Sequence, residues 1–327
     1  MPTKTKPKKK TLKKRAPKAV SKGKVIDKQE NLVRRPASAE SITNKQRLVK
    51  LPSVYQLSLQ VWDVLWTHKK ILAGLAAIYG LLNLVLVQGL STSTDITTLK
   101  KEFDHVFTGN AGALVSGLSI FAVLVSSSGN SSSQTAGAYQ TILTIITSLA
   151  VIWALRQLMM GKQISVKDTF YKGMSPFIPF ILVLLVIILQ LLPLIIGTSL
   201  YALVSSNGIA VGIVEKLAFG IVSLTLASWS VYMLSSSIFA VYIVTLPNMT
   251  PKSALKSAKD LVKNRRWSVI RKILALPVIL LVVSAIIMIP IILLLTSLAQ
   301  WFFFILTMFG LIVLHTYIYT LYRDLLA

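Results

Sequence analysis

Residues 250–298 read TPKSALKSAKDLVKNRRWSVIRKILALPVILLVVSAIIMIPIILLLTSL. The two parts of this stretch obey different periodicities. Ala254, Leu255, Ala258, Leu261 and Val262 fall on one helical face, and Lys252, Lys256, Lys259 and Lys263 on another. That is the pattern of an amphipathic helix. Thr250 is suited to the N-cap, and Pro251 sits where the first helical residue would be. From Ile273 to Leu298 the chain is almost continuously apolar. At about 1.5 Å per residue such a run crosses the roughly 30 Å hydrocarbon layer of a bilayer as a helix. Pro277 and Pro290 lie inside it. Both are tolerable, because neighbouring helices can satisfy the backbone groups that proline frees. A basic interfacial helix leading into a membrane span decides the class: helical and membrane-embedded.

The rest of the chain agrees. Five further runs are long enough to span: Ile71–Leu90, Ala138–Leu155, Phe177–Val204, Leu217–Leu246 and Trp301–Tyr322. Across 327 residues, 54% are apolar and only 14% charged, yet the formal net charge is +24. A soluble domain is nearer a quarter charged. Greasy and basic character must therefore occupy different parts of the chain. This excludes a soluble globular enzyme and a wholly disordered protein. The stretch 111–125 is too short and too punctuated by Gly and Ser to span comfortably, and reads as re-entrant or interfacial.

The grammar of residues 250–298 recurs. Ser53-Val54-Tyr55-Gln56 and Ser165-Val166-Lys167-Asp168 each begin with a hydroxyl residue and place an acceptor three positions on, as in a capping box. Each opens a short helix followed by two spans. In the first, Leu57, Val61, Val64 and Leu65 form the apolar stripe, with Trp62 and Trp66 as interface anchors. The expected fold is all-α: a bundle of six transmembrane helices, built as three repeats of cytoplasmic interface helix plus transmembrane hairpin, over residues 51–327.

The run from Leu246 through Pro247, Asn248, Met249, Thr250 and Pro251 to Ala258, followed by Asn264-Arg265-Arg266-Trp267, resembles a loop of YciC-like six-helix bacterial integral membrane proteins. It is also similar to the membrane domain attached to some glycerophosphoryl diester phosphodiesterases. Ser165-Val166 with Pro176 and Pro193 resembles their middle loop. The resemblance covers about residues 50–325. It implies an integral membrane protein of largely undefined role. In the fused relatives catalysis belongs to a separate barrel domain, so the resemblance implies no catalytic residue here.

Residues 1–50 lie outside that resemblance. They carry 17 Lys and Arg against three Asp and Glu, with no aromatic residue and with Pro2, Pro7, Pro17 and Pro36. Such a segment cannot bury enough apolar surface to offset chain entropy, and reads as a disordered basic tail. Its charges would attract an anionic leaflet or, non-specifically, nucleic acid; a solvated tail that fixes topology is the plainer alternative. Partner proteins are not specified by any motif.

Inside the spans no Asp, Glu, Lys or Arg stands at mid-depth, which disfavours an ion-coupled transporter. Asn83, Gln190, Ser223, Ser230 and Ser237 are the candidates to line a cavity; the alternative for the serines, which recur every seven residues, is a small-residue packing face. Lys252, Lys256, Lys259, Lys263, Arg265 and Arg266 are the candidates to contact lipid headgroups. There is no cysteine, and His68, His105 and His315 are far apart, so neither a metal nor any other cofactor is expected. The leading expectation is a non-enzymatic protein that organises or supports the membrane. The competing class is a transporter or lipid translocator working through a cavity between the repeats.

The dense Lys and Arg loops place both termini in the cytoplasm of a cell whose plasma membrane holds the bundle. Reporter fusions at residues 130, 165, 208 and 255 are expected to read outside, inside, outside, inside. A reporter at residue 255 that reads outside overturns the six-span topology.

Overall fold

The computed structural model describes residues 51–87, 134–206 and 212–326. The basic segment 1–50 and the stretch 111–125 lie outside the described residues. Among the described residues every regular element is helical. In chain order these are α1 (Val54–Thr67), α2 (Lys69–Leu86), α3 (Gln134–Met159), α4 (Val166–Gly173) and α5 (Phe177–Ser206). They are followed by α6 (Ile213–Ser237), α7 (Ala240–Ile243), α8 (Pro251–Val262), α9 (Arg266–Leu294) and α10 (Thr296–Leu326). Six helices are long and apolar enough to cross a membrane, counting α6 and α7 as one span. The chain is an integral membrane protein of the all-α class. A short helix precedes a pair of long ones three times: α1 before α2 and α3, α4 before α5 and α6, α8 before α9 and α10.

Each short helix is started by the hydroxyl residue that precedes it. The Ser53 hydroxyl accepts from the Gln56 N–H at 3.2 Å, and the Gln56 side chain accepts from the Ser53 N–H at 3.0 Å. At α4 the Ser165 hydroxyl accepts from the Asp168 N–H at 3.2 Å and donates to the Asp168 carboxylate at 3.0 Å. The second contact is thus side chain to side chain instead of the reciprocal backbone bond that the spacing implies. At α8 the Thr250 hydroxyl accepts from the Ser253 N–H and the Thr250 N–H donates to the Ser253 hydroxyl at 3.0 Å. Serine thereby completes a box that is usually closed by Glu or Gln.

The fourth, fifth and sixth spans differ most from the hydropathy reading. The fourth span begins at Ile213 and its α6 part stops at Ser237 rather than running helically to Leu246. Ser235 and Ser236 donate to the carbonyls of Tyr232 and Met233 at 2.7 and 2.9 Å, and Ser237 also turns back onto Met233. Consecutive serines bonding back to the preceding turn loosen and bend a helix, and the chain re-enters helix only over α7. The fifth span starts at Arg266, two turns before Ile273, because nothing between Arg266 and Lys272 breaks the helix. The sixth starts at Thr296 after a break at a single residue, Leu295. Pro193, Pro277 and Pro290 all lie within unbroken helices.

The main core occupies one end of the bundle. It gathers Leu149 to Leu158 of α3, Phe239 to Val244 around α7, and Tyr317 to Leu325 of α10. Leu57 and Val61 of α1 close one side of it, and Ala254, Ala258 and Val262 of α8 another. The same end carries Lys69, Lys70, Arg156, Lys172 and the cations from Lys252 to Lys272. Toward the other end packing thins to a small cluster of Met288, Ile292, Ala299 and Phe303, and Ile213, Val214 and Leu294 are more than four-fifths exposed. Those side chains are the surface that lipid tails cover.

Two close approaches hold the helices in register. A Cβ on Gly173 would lie 3.0 Å from Ala150 Cα, so α4 is seated on the backbone of α3. A Cβ on Gly197 would lie 3.3 Å from Ser223 Cα, where α5 meets α6. Gly173→Leu is expected to unseat α4 and cost about 1–3 kcal/mol in detergent-solubilised thermal unfolding, the usual range for overpacking. Gly310→Ala, where an added Cβ meets nothing within 4 Å, is the control and is expected to be tolerated. Equal midpoints for wild type and the Gly173 variant would show that α4 is not docked this tightly.

Candidate functional site

The sequence-derived headgroup contacts divide into two groups. Ala254, Ala258 and Val262 are fully buried, so α8 packs its apolar stripe on the bundle, against α5, α6, α7 and α10. The covering of this apolar face is protein over Ala254, Ala258 and Val262, while Leu255 and Leu261 stay partly exposed. Lys252, Lys256, Lys259 and Lys263 all stand exposed on the opposite side. Arg265 and Arg266 are half-buried. The Arg266 guanidinium sits 4.2 Å from the centroid of the Tyr232 ring, tying the start of α9 to α6. Arg266 thus serves a helix–helix contact, and the four lysines form the outward array.

The five candidate cavity residues do not gather around one cavity, although Ser230 meets Gln190 and Ser223 lies in the same seam. Ser230 is buried in the seam between α5 and α6 and donates to the Gln190 carbonyl at 2.7 Å. Ser223 faces Gly197 in the same seam, and Ser237 bonds to its own helix. Asn83 is fully buried on α2, and neither polar atom of its side chain has a hydrogen-bond partner among the described residues. The Gln190 Oε1 is likewise buried without a hydrogen-bond partner among the described residues. None of the five belongs to the walls of the cavities described next.

Among the described residues, cavities along the bundle include the following three. A groove of about 440 Å³ between α2 and α10 is apolar, walled by residues such as Ala77, Gly80, Phe304 and Met308. A second, of about 470 Å³, runs between α3 and α5 past Gln140, Thr141 and Thr144. The third, of about 520 Å³, is the polar one. It lies where the first repeat meets the second, between α3, the α4–α5 junction and the turn 244–249.

Arg156 reaches this third cleft from α3. Its guanidinium donates to the Thr245 carbonyl at 2.9 Å, to the Tyr242 carbonyl at 3.3 Å, and to the Thr245 hydroxyl. These acceptors lie where α7 ends, and the Tyr242 carbonyl also accepts from the Thr245 hydroxyl at 2.8 Å. The turn that follows needs Asn248 at φ 61°, a left-handed conformation that Asn accepts more readily than most residues. Behind Arg156, Tyr242 stacks on Tyr322 and its hydroxyl meets His315 Nδ1 at 3.0 Å. On the opposite wall Lys172 pairs with Asp168 at 3.5 Å, one turn back on α4. The Ser165 hydroxyl bond, and then Lys172, hold the exposed Asp168 carboxyl below the usual carboxylate range.

Sequence reasoning did not single out Arg156 or Lys172 beyond counting them as inside charges. The available signal was an Arg at the end of a span with no acidic residue within a helical turn. Among the described residues no three His, Asp or Glu side chains gather to hold a metal. Comparison with family models, with curated proteins and with solved structures finds no match for this chain.

Arg156→Met should leave the Thr245 carbonyl without this donor and the Tyr242 carbonyl with the Thr245 hydroxyl alone. The expected loss is about 1–3 kcal/mol in detergent-solubilised unfolding. Thr245→Val is expected to cost less, and the double variant less than the sum of the two. Additive losses would show that the two side chains do not act on each other.

Proposed function

We propose that this chain is a non-enzymatic membrane-organising protein that gathers anionic lipid at its basic end, on the cytoplasmic leaflet of the plasma membrane. The reading rests on one observation. The face of α8 that carries Ala254, Ala258 and Val262 is buried against the bundle, while Lys252, Lys256, Lys259 and Lys263 are all exposed. Lysines on a surface helix usually lose side-chain and backbone freedom when they engage a membrane. Here the backbone is already fixed by packing, so only the side chains are ordered on binding. From Lys252 to Lys263 the array is about 16 Å long at the helical rise of ~1.5 Å per residue. Each lysine at an anionic surface contributes on the order of 1 kcal/mol, reduced by salt. The resemblance of residues 246–267 to the YciC-like loop favours the same class, a membrane protein without its own catalytic machinery.

Trp62 and Trp66 stack at 5.9 Å on the exposed side of α1, with the Lys69 ammonium 4.2 Å from the Trp66 ring. This places an aromatic and cationic anchor at the entrance of the first span, as expected of a helix end at the headgroup level. Both features point the same end of the molecule toward headgroups.

The test is lipid enrichment. Full-length protein is extracted from bilayers of equal phosphatidylcholine and phosphatidylglycerol, and the co-purified lipid is quantified. Wild type should be enriched in phosphatidylglycerol, in a salt-dependent way. Replacing the four lysines of α8 by Gln should abolish most of that enrichment, and deleting residues 1–50 should leave the larger part of it. Enrichment that survives the Gln substitutions and disappears with the tail would assign the role to residues 1–50 and overturn the reading.

A further inference from the structure

We propose that the cleft between α3, the α4–α5 junction and the turn 244–249 is a binding site for a phosphoryl group, with Arg156 and Lys172 as its cationic partners. The inference rests on the reading of this end as the lipid-headgroup end, but stands on different residues from the α8 array.

Three observations carry it. First, among the described residues the walls contain two cations and no acidic residue. Asp168, the ion-pair partner of Lys172, is not among them. Second, Arg156 is a half-buried cation whose hydrogen bonds go to neutral oxygens: two carbonyls and one hydroxyl. Carbonyl and hydroxyl dipoles orient the guanidinium but do not cancel its charge. A cation drawn out of water without a counter-charge is costly, so an anion entering the cleft recovers more than it would at an open surface. Third, the shape and chemistry suit a small polar anion with an apolar neighbour. The volume, about 520 Å³, falls within the range of small-molecule sites. Gln157 and Asn248 add amide donors, and Trp153 supplies an apolar wall.

Phosphate is the anion these groups favour. Arg156 has five N–H donors, three of them directed at Tyr242 and Thr245, so its positive charge and remaining donors face the cleft, and Lys binds phosphate as a point charge. The two come from different elements, α3 and α4, and a tetrahedral oxyanion presents oxygens in several directions to both. Two sources share this chemistry: the headgroup phosphate of a phospholipid, and a soluble phosphate or phosphate ester.

The experiment uses the full chain in detergent, with native mass spectrometry as the readout. Wild type should retain phosphatidylglycerol over phosphatidylcholine as a discrete bound species. Lys172→Gln removes one cation from an exposed position. Gln157→Glu places a negative charge in the cleft without touching the Arg156 contacts. Each is expected to weaken phosphatidylglycerol retention about tenfold or more while leaving the unfolding temperature near wild type, tenfold being about 1.4 kcal/mol. The variant with all four α8 lysines replaced should keep the bound species. That separates failure of this site from failure of the α8 array. Inorganic phosphate is then titrated in: displacement of the lipid assigns the cleft to soluble phosphates as well, and lipid that resists displacement assigns it to the headgroup. Retention unchanged in both cleft variants, or equal retention of phosphatidylcholine by wild type, overturns the proposal.

Discussion

The guanidinium of Arg156 holds together the part of the bundle on which the rest depends. Its donors reach the carbonyls of Tyr242 and Thr245, the backbone groups exposed where the fourth span ends. A helix that stops short in an apolar setting leaves carbonyls without partners, and lipid offers none. The serine run that ends α6 creates this difficulty, and Arg156 resolves it from the neighbouring helix. With the end of α7 fixed, Tyr242 can stack on Tyr322, lie tilted against Tyr319 and bond to His315. The aromatic cluster in turn locks α10 to α7. Three spans from three different repeats thus meet at one cation.

Packing is therefore uneven along the membrane normal. At the basic end, short helices fill the gaps between spans: α4 seats Gly173 on α3, α8 seats Ala254 and Ala258 on the bundle, and α1 inserts Leu57 and Val61. At the other end no short helix intervenes among the described residues, and long side chains such as Leu294 point outward. Lipid tails there replace protein as packing partner, since for an apolar side chain the two are nearly equivalent. Rigidity and charge coincide at the same end, as an anion-gathering surface requires: fixed cations lose less freedom on binding than mobile ones.

Much of this was legible in the sequence because it depends on local rules. The six spans follow from length and hydropathy, and the starts of α1, α4 and α8 from Ser53, Ser165 and Thr250. What escaped depends on which helices touch. The stripe of α8 shows its period in the sequence but not whether protein or lipid covers it, because both bury Ala258 equally well. Ser223, Ser230 and Ser237 read more readily as a packing face than as a cavity wall, and the approach of Gly197 is what places Ser223 in a seam. Arg156 looked like one more inside-facing charge, because its partners are backbone carbonyls nearly ninety residues away. Carbonyls carry no sequence signature, so a cation that binds them leaves no paired residue to find.

The same reasoning explains why the cleft and the α8 array need not act alike. On α8 the lysines are exposed and water-solvated, so their attraction for a leaflet is additive, salt-sensitive and indifferent to headgroup shape. In the cleft, Arg156 is already oriented by three bonds before any ligand arrives. Orientation paid in advance favours geometry over net charge, and a half-buried site is screened less by salt. A surface that both concentrates anionic lipid and selects one molecule from it needs these two kinds of cation side by side. This bundle places them at one end, on elements from different repeats, joined through the turn 244–249 that runs from the Arg156 contacts into the cap of α8.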